Sequence, residues 1–300
     1  MTARIAPADL AACRSAIRTG SLSFHAASRL LPAAVRDPAL ALYAFCRLAD
    51  DAVDEGHDKT AAVLRLRDRL DRVYAGRPVN SPADRAFAAV VESFDMPRAL
   101  PDALLEGMAW DATGRRYDDL SGVLAYSARV AAAVGAMMCV LMRVRDADAL
   151  ARALGEDARA GRLYLPLDWL REAGIDPEGF LADPTASPVI RSATKRLLAR
   201  ATRLYQRADS GVPMLPAACR PGILAAGAIY AGIGGAVARN GHDAITARAR
   251  TTKGQKLGWL MLSTLRAGTT LVMPRPATLH APPEPETAFL VQAAARAADA

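Results

Sequence analysis

Apolar residues return every third or fourth position along most of the chain, and no run shows convincing alternation with the period of two that strands need. Residues 58–75, DKTAAVLRLRDRLDRVYA, keep their apolar groups on one side and their charges on the other, then stop at Gly76. Asp37-Pro38 reads as an N-cap followed by proline at the first helical position, and Gly56 closes the helix they open. The same punctuation predicts helices over 8–18, 23–31, 38–55, 58–75, 82–94, 101–112, 119–142, 146–160, 189–209, 217–239 and 253–270. The proline-rich stretch 271–286 reads as a surface tail before a last short helix. With no internal repeat and no Gly/Ser linker, the pattern predicts an all-α chain forming one domain over residues 1–300.

Composition agrees with helix. Alanine and leucine dominate the 300 residues, and aromatics make up only 5%. The formal net charge of +7 points to acidic partners: phosphates, nucleic acid or an anionic membrane surface. Nucleic acid drops out, because no recognised binding motif or aromatic interleaving accompanies the charge. Cys13, Cys46, Cys139 and Cys219 lie far apart without metal-ligand spacing, which suits a reduced, cytoplasmic setting. The first twenty residues lack the apolar run of a signal peptide. The apolar stretches 130–142 and 222–238 fall short of the ~18 residues expected of a membrane span, so they are expected to be core helices.

Chemistry enters at residues 48–55, LADDAVDE, where Asp50, Asp51, Asp54 and Glu55 close an otherwise apolar helix. Asp50 and Asp54 are spaced i, i+4 and share a face. Like charges there repel, and the C-terminal end of a helix dipole disfavours them further. A bound cation relieves both penalties. Carboxylate oxygens in this arrangement suit Mg²⁺, which takes one or two of them together with substrate phosphates and water. The alternative is a solvated, fraying helix end. Arg47 lies one turn before Asp50 and Asp51, and Tyr43 one turn before Arg47. Upstream, Ser21 and Ser23 in SLSFHAAS precede a helix start, which reads either as plain N-capping or as a phosphate site.

Several segments in series carry a family resemblance: SLSFHAASRLLP, LYAFCRLADDAVDE, YSARVAAAVG, GEDARAGRLYLPLDWLREAGI and AIYAGIGGAVARNGHD. Together they resemble bacterial phytoene synthases, most of all those of purple phototrophic bacteria, over residues 10–290. The resemblance implies an all-α prenyl-synthase fold around a central apolar cavity. It implies Mg²⁺-dependent head-to-head condensation of two geranylgeranyl diphosphates, through prephytoene diphosphate, to phytoene in carotenoid biosynthesis; Mn²⁺ is a possible substitute metal. It assigns Asp50 and Asp54 to the first metal motif, and Ser21, Ser23, Tyr43 and Arg47 to diphosphate contacts, Arg47 also with a catalytic role. Tyr126 becomes a cavity tyrosine that steers the cation chemistry. Arg162, Tyr164, Tyr230 and Arg248 become further substrate-binding positions. For each tyrosine, a packed helix residue with a satisfied hydroxyl is the alternative.

The resemblance breaks at the second metal motif. Glu156 and Asp157 fit its end, but the position four residues before Asp157 holds Ala153. The glutamine and asparagine that precede the motif in the family have no counterpart. About fifteen residues are missing, or roughly 22 Å of helix at ~1.5 Å each. Impaired catalysis is the expected consequence. The alternatives are a non-catalytic prenyl-synthase-like protein that binds lipids or partners, and a squalene synthase, which would add NADPH reduction. Toward the C-terminus, Arg239, Arg248, Arg250, Lys253, Lys256 and Arg266 flank GWLMLSTL. That stretch reads as a dock on an anionic membrane or as a core helix with solvated ends. Oligomeric state has no sequence signature here.

Overall fold

The computed structural model describes residues 4–54, 58–144, 146, 165–246, 249–272 and 282–296. Among them every regular element is helical. Helices α1 (Pro7–Gly20), α2 (Leu22–Ser28), α3 (Ala33–Asp54), α4 (Lys59–Tyr74), α5 (Pro82–Phe94) and α6 (Ala99–Ala112) come first. Then α7 (Leu120–Ser127) runs through a π turn (Ala128–Ala132) into α8 (Ala133–Leu141). Two short helices follow, α9 (Leu167–Glu172) and α10 (Pro177–Ala182). The chain ends with α11 (Pro188–Gly211), α12 (Arg220–Arg239), α13 (Lys253–Thr269) and α14 (Ala288–Arg296).

Helix α3 sits at the centre. It packs against α1, α4 and α5, and Phe45 stacks on Phe87 of α5 with ring centroids 4.3 Å apart. Both rings are fully buried. Two carboxylates enter this core only because arginines meet them: Asp84 pairs with Arg69, and Asp9 with Arg85 at 2.6 Å. A buried charge left alone would be strongly unfavourable, so each pair also fixes how two helices face each other.

The start of α3 corrects the sequence expectation. The helix begins at Ala33, and Pro38 lies inside it. A proline there forgoes only one intrahelical bond near the N-terminus, a loss a buried helix tolerates. Asp37 does not cap the helix; its carboxylate takes Arg36 at 3.0 Å and Arg14 at 3.3 Å. The expected helix 119–142 is present with a π turn that no periodicity announces. Beside that turn, Gly107 of α6 brings its backbone so close that a methyl group would lie 2.6 Å from Val130. The helix predicted over 146–160 lies outside the described residues.

Residues 120–141 and 217–239 form helices of 22 and 23 residues, apolar and long enough to cross a membrane by length and composition. The length argument taken from their apolar stretches alone therefore fails, because the helices run past those stretches. The first still behaves as a core helix, with buried residues from Tyr126 through Leu141. The second is much less enclosed, and forms a hairpin with α13 in which Trp259 lies across Gly232.

Candidate functional site

Four side chains of α3 define one face. At ~100° per residue, Tyr43, Arg47, Asp50 and Asp54 fall within a stripe of about 60° opposite Phe45. The core pulls one side of the helix inward, and this side is left for chemistry.

The α1–α2 corner closes against that face. Ser21 is extended (φ −152°, ψ 100°), and its Oγ accepts the Phe24 N–H at 3.2 Å. Its own N–H donates to the Ile17 carbonyl at 2.9 Å, which ties the two helices together. Ser21 is thus an N-cap in form, on a helix of only seven residues. Ser23, two residues on in the same corner, is half-buried. Gly20 permits the approach: a methyl group there would clash with the Tyr43 hydroxyl and lie 3.6 Å from Arg47 Cδ.

Phe24 then joins three elements. Its ring centroid is 6.1 Å from that of Tyr43 on α3 and 4.8 Å from that of Tyr230 on α12. Desolvation holds the Tyr43 hydroxyl above its ordinary pKa; Arg47 opposes this, and the charges of Asp51 and Asp50 add to it. Tyr43 therefore stays a neutral hydrogen-bond donor at physiological pH. Burial, and secondarily the Asp50 charge, pushes the Cys46 thiol up to about 12, so it is no nucleophile near neutrality.

The charges of the face are interlocked. Arg47 donates from Nε to Asp51 Oδ2 at 3.0 Å and pairs through Nη2 with Asp51 Oδ1. Its Nη1 lies 3.7 Å from Asp50 Oδ2. Asp50 and Asp54 are exposed to solvent. Their oxygens are hard donors one helical turn apart, so the donor chemistry fits a divalent cation shared with phosphate oxygens. Among the described residues no group of three or more His, Cys, Asp or Glu side chains converges to hold a metal without such help. A cleft of about 700 Å³ adjoins this face, between α1, α3, α4 and α5. Arg47, Asp51, Arg65 and Arg69 line it over a floor of Ala16, Ala44 and Leu48.

Tyr126 belongs to a second group. It is buried beside Tyr117, with ring centroids 5.4 Å apart, and its hydroxyl donates to Asp111 Oδ2 at 2.5 Å. Of the residues singled out from the sequence, Ser21, Tyr43 and Tyr230 meet through Phe24, with Ser23 beside it in the chain, and Arg47, Asp50 and Asp54 continue along the α3 face from Tyr43. Glu156, Asp157, Arg162, Tyr164 and Arg248 lie outside the described residues. Sequence reading missed Phe24, Gly20 and Asp111. Their only signals were proximity to a serine pair and, for Asp111, a carboxylate on an otherwise apolar helix, which is too common a pattern to single out.

Comparison with known proteins matches residues 17–255 to the squalene/phytoene synthase family model. A phytoene synthase of Cereibacter sphaeroides is 64% identical, over 98% of this chain and 90% of that protein. A phytoene synthase of Rhodobacter capsulatus is 63% identical, over 97% of this chain and 91% of its own length. The first alignment runs over 318 positions, of which 98% of 300 residues fills about 294; some 24 positions hold a residue there and none here. The second runs over 309 positions, of which about 291 are filled, leaving some 18. Among solved structures, a dehydrosqualene synthase superposes with a TM-score of 0.79 at 24% identity, over 87% of this chain and 97% of its own. A squalene synthase from Alicyclobacillus acidocaldarius gives 0.70 at 21%, over 79% and 95%. Those likenesses show the fold, and the model match and the two close relatives show the lineage: the chain belongs to the squalene/phytoene synthase family.

Proposed function

We propose that this chain is a phytoene synthase by lineage, built to join two geranylgeranyl diphosphates head to head into phytoene. The observation that carries the reading is the α3 face, where Tyr43, Arg47, Asp50 and Asp54 stand against Ser21 and Tyr230, in a chain more than 60% identical to two phytoene synthases. Asp50 and Asp54 would hold Mg²⁺, with Mn²⁺ as a substitute; the ion supplies neutralisation of the diphosphate leaving group. Arg47 adds a fixed positive charge at that group, and Tyr43, kept neutral, adds a hydroxyl donor. Phe24 and Tyr230 offer an apolar, aromatic wall that keeps water from an allylic cation. Tyr126, with its hydroxyl committed to Asp111, steers the later steps by holding one orientation. By the same resemblance, Glu156 and Asp157 would contribute to metal binding, and Arg162, Tyr164 and Arg248 to substrate binding.

The second half of the clamp is where this chain is weak. The 18 to 24 unfilled positions in the two alignments accommodate the expected loss at the second acidic motif. The reading therefore includes reduced turnover. That same gap favours one competing reading, a prenyl-synthase-like protein that binds lipid without turning it over.

The reading also places the chain at an anionic membrane surface on the cytoplasmic side. Leu257, Met261 and Leu265 of α13 are 60%, 65% and 69% exposed, and lie within a stripe of ~80° at ~100° per residue. Arg250, Lys253 and Lys256 stand at the N-terminal end of that stripe. An amphipathic helix with flanking cations suits a lipid surface, as do a prenyl substrate and a hydrocarbon product.

The test is product analysis with geranylgeranyl diphosphate and Mg²⁺, with and without NADPH, for this chain and for one carrying the missing segment from a relative. Phytoene from the extended chain, and little from the present one, is the expected result. A folded extended chain without product would favour the binding reading, and an NADPH-dependent C40 product a squalene-synthase-type reduction.

A further inference from the structure

The first acidic motif holds three aspartates within five residues, and the fold divides them between two surfaces. Asp50 and Asp54 share the face of Tyr43. Asp51 is turned ~100° from Asp50 toward the neighbouring cleft, where it stands with Ala44, Arg65 and Arg69. Asp50 and Asp54 are not among the residues lining that cleft. Arg47 reaches both surfaces, and Asp51 holds it there by two contacts on one edge of the guanidinium, Nε to Oδ2 and Nη2 to Oδ1. A bidentate grip fixes the plane of the guanidinium as well as its position. The remaining nitrogen, Nη1, is thereby aimed at the Asp50 side. Nη1 lies 3.7 Å from Asp50 Oδ2, within ion-pair reach but beyond a hydrogen bond, which places it beside the Asp50 carboxylate.

We propose that Asp51 is a positioning residue for diphosphate: its two-contact grip fixes the plane of the Arg47 guanidinium and directs Nη1 at a diphosphate bound on the Asp50/Asp54 face. The inference rests on the diphosphate-binding reading above and assigns the middle carboxylate a duty other than metal ligation. Two carboxylates compete for one arginine. With Asp51 present, the fork geometry gives Asp51 the two-contact grip and leaves Asp50 the longer ion pair. Without it, the guanidinium falls to Asp50, one turn away on the same helix. That single change removes a cation's donor and an anion's partner together. A lysine at position 47 cannot be gripped in this way, because its ammonium has no planar fork.

Calorimetric titration of the full chain with inorganic diphosphate in the presence of Mg²⁺ tests this independently of turnover. Four proteins are compared: the unaltered chain, Asp51→Asn, Arg47→Lys and the double variant, each shown to be folded by circular dichroism. Asp51→Asn preserves shape at a half-exposed position. It is expected to weaken diphosphate binding ~10-fold in the presence of Arg47 and less than ~2-fold in the Arg47→Lys background, the non-additivity of two residues acting as a unit. Equal losses in both backgrounds would assign Asp51 a structural or metal-ligating part and overturn the proposal. So would unchanged binding by Asp51→Asn. If the unaltered chain itself binds no diphosphate, the functional reading falls and takes this inference with it, whereas the first two outcomes leave that reading standing.

Discussion

Helices α3 and α13 both carry apolar stripes, and the fold treats them in opposite ways. On α3, Leu42, Phe45, Ala49 and Val53 are closed off by neighbours on several sides. On α13 only Ser263 and Ala267 are buried, although leucines and a methionine surround them. The difference lies in the number of partners. Helix α3 is enclosed by α1, α4 and α5, while α13 leans chiefly on α12 and turns its apolar side outward. Apolar periodicity therefore reports which side of a helix seeks cover. It does not report whether this chain supplies the cover.

The sharpest way to break the comparison is to empty the enclosed side. Phe45→Ala removes a fully buried ring stacked on Phe87 and is expected to cost ~3–5 kcal/mol, read as a lower urea midpoint. Asp84→Ala should come next, at about 1–3 kcal/mol, because Arg69 loses its buried partner but keeps some access to solvent. A penalty below the level of a surface substitution would mean that the α3–α5 contact, for Phe45, or the α4–α5 contact, for Asp84, is looser than drawn. On the hairpin side, Thr252 caps α13 through a reciprocal pair with Gln255, so Thr252→Ala should cost ~1 kcal/mol in thermal unfolding.

Asp243, just after α12, gives a pH-dependent counterpart. The Thr246 hydroxyl and N–H lead in holding its carboxylate below the ordinary value, helped by the Ile245 N–H and Arg191 against the opposing effect of desolvation. A folded pKa below the unfolded one of ~3.9 means that the stabilisation is complete above that value. It is lost as pH falls through the folded value. The melting temperature of Asp243→Asn should therefore lie below that of the unaltered chain near neutrality and converge with it in acid. The smallest stability effect belongs to Leu265→Glu on the open stripe, within ~0.5 kcal/mol. Its readout is co-sedimentation with vesicles containing phosphatidylglycerol, expected to fall sharply while unfolding is unchanged. Retained sedimentation, or self-association detected by light scattering, would assign the stripe to something other than a lipid surface.

Much of this architecture was legible beforehand, and the misses have physical causes. The helix predicted over 82–94 is the observed α5, because Ser81, Pro82 and Asp95 punctuate it chemically at both ends. The helix predicted from Pro38 starts five residues earlier, because tertiary burial outweighs one lost backbone bond. The short helices α9 and α10 were missed, since six residues hold too few turns to show a period. In the site, the α3 residues were legible because helical spacing alone sets them side by side. Tyr230 was named through resemblance alone, and no spacing could have placed it against Phe24 some two hundred positions away.

The sequence by itself determined what depends on near neighbours: an all-α chain, helix ends such as those of α5, the face that groups Tyr43, Arg47, Asp50 and Asp54, and, through its motifs, the family. Backbone geometry fixes such relations within a few turns, so they can be read without a partner. Tertiary structure decided the rest. It brought Phe24 and Tyr230 to Tyr43, committed the Tyr126 hydroxyl to Asp111, and left the α13 stripe open. Each of these outcomes is a competition among groups distant along the chain or pointing to different faces, and packing settles it only when the helices meet.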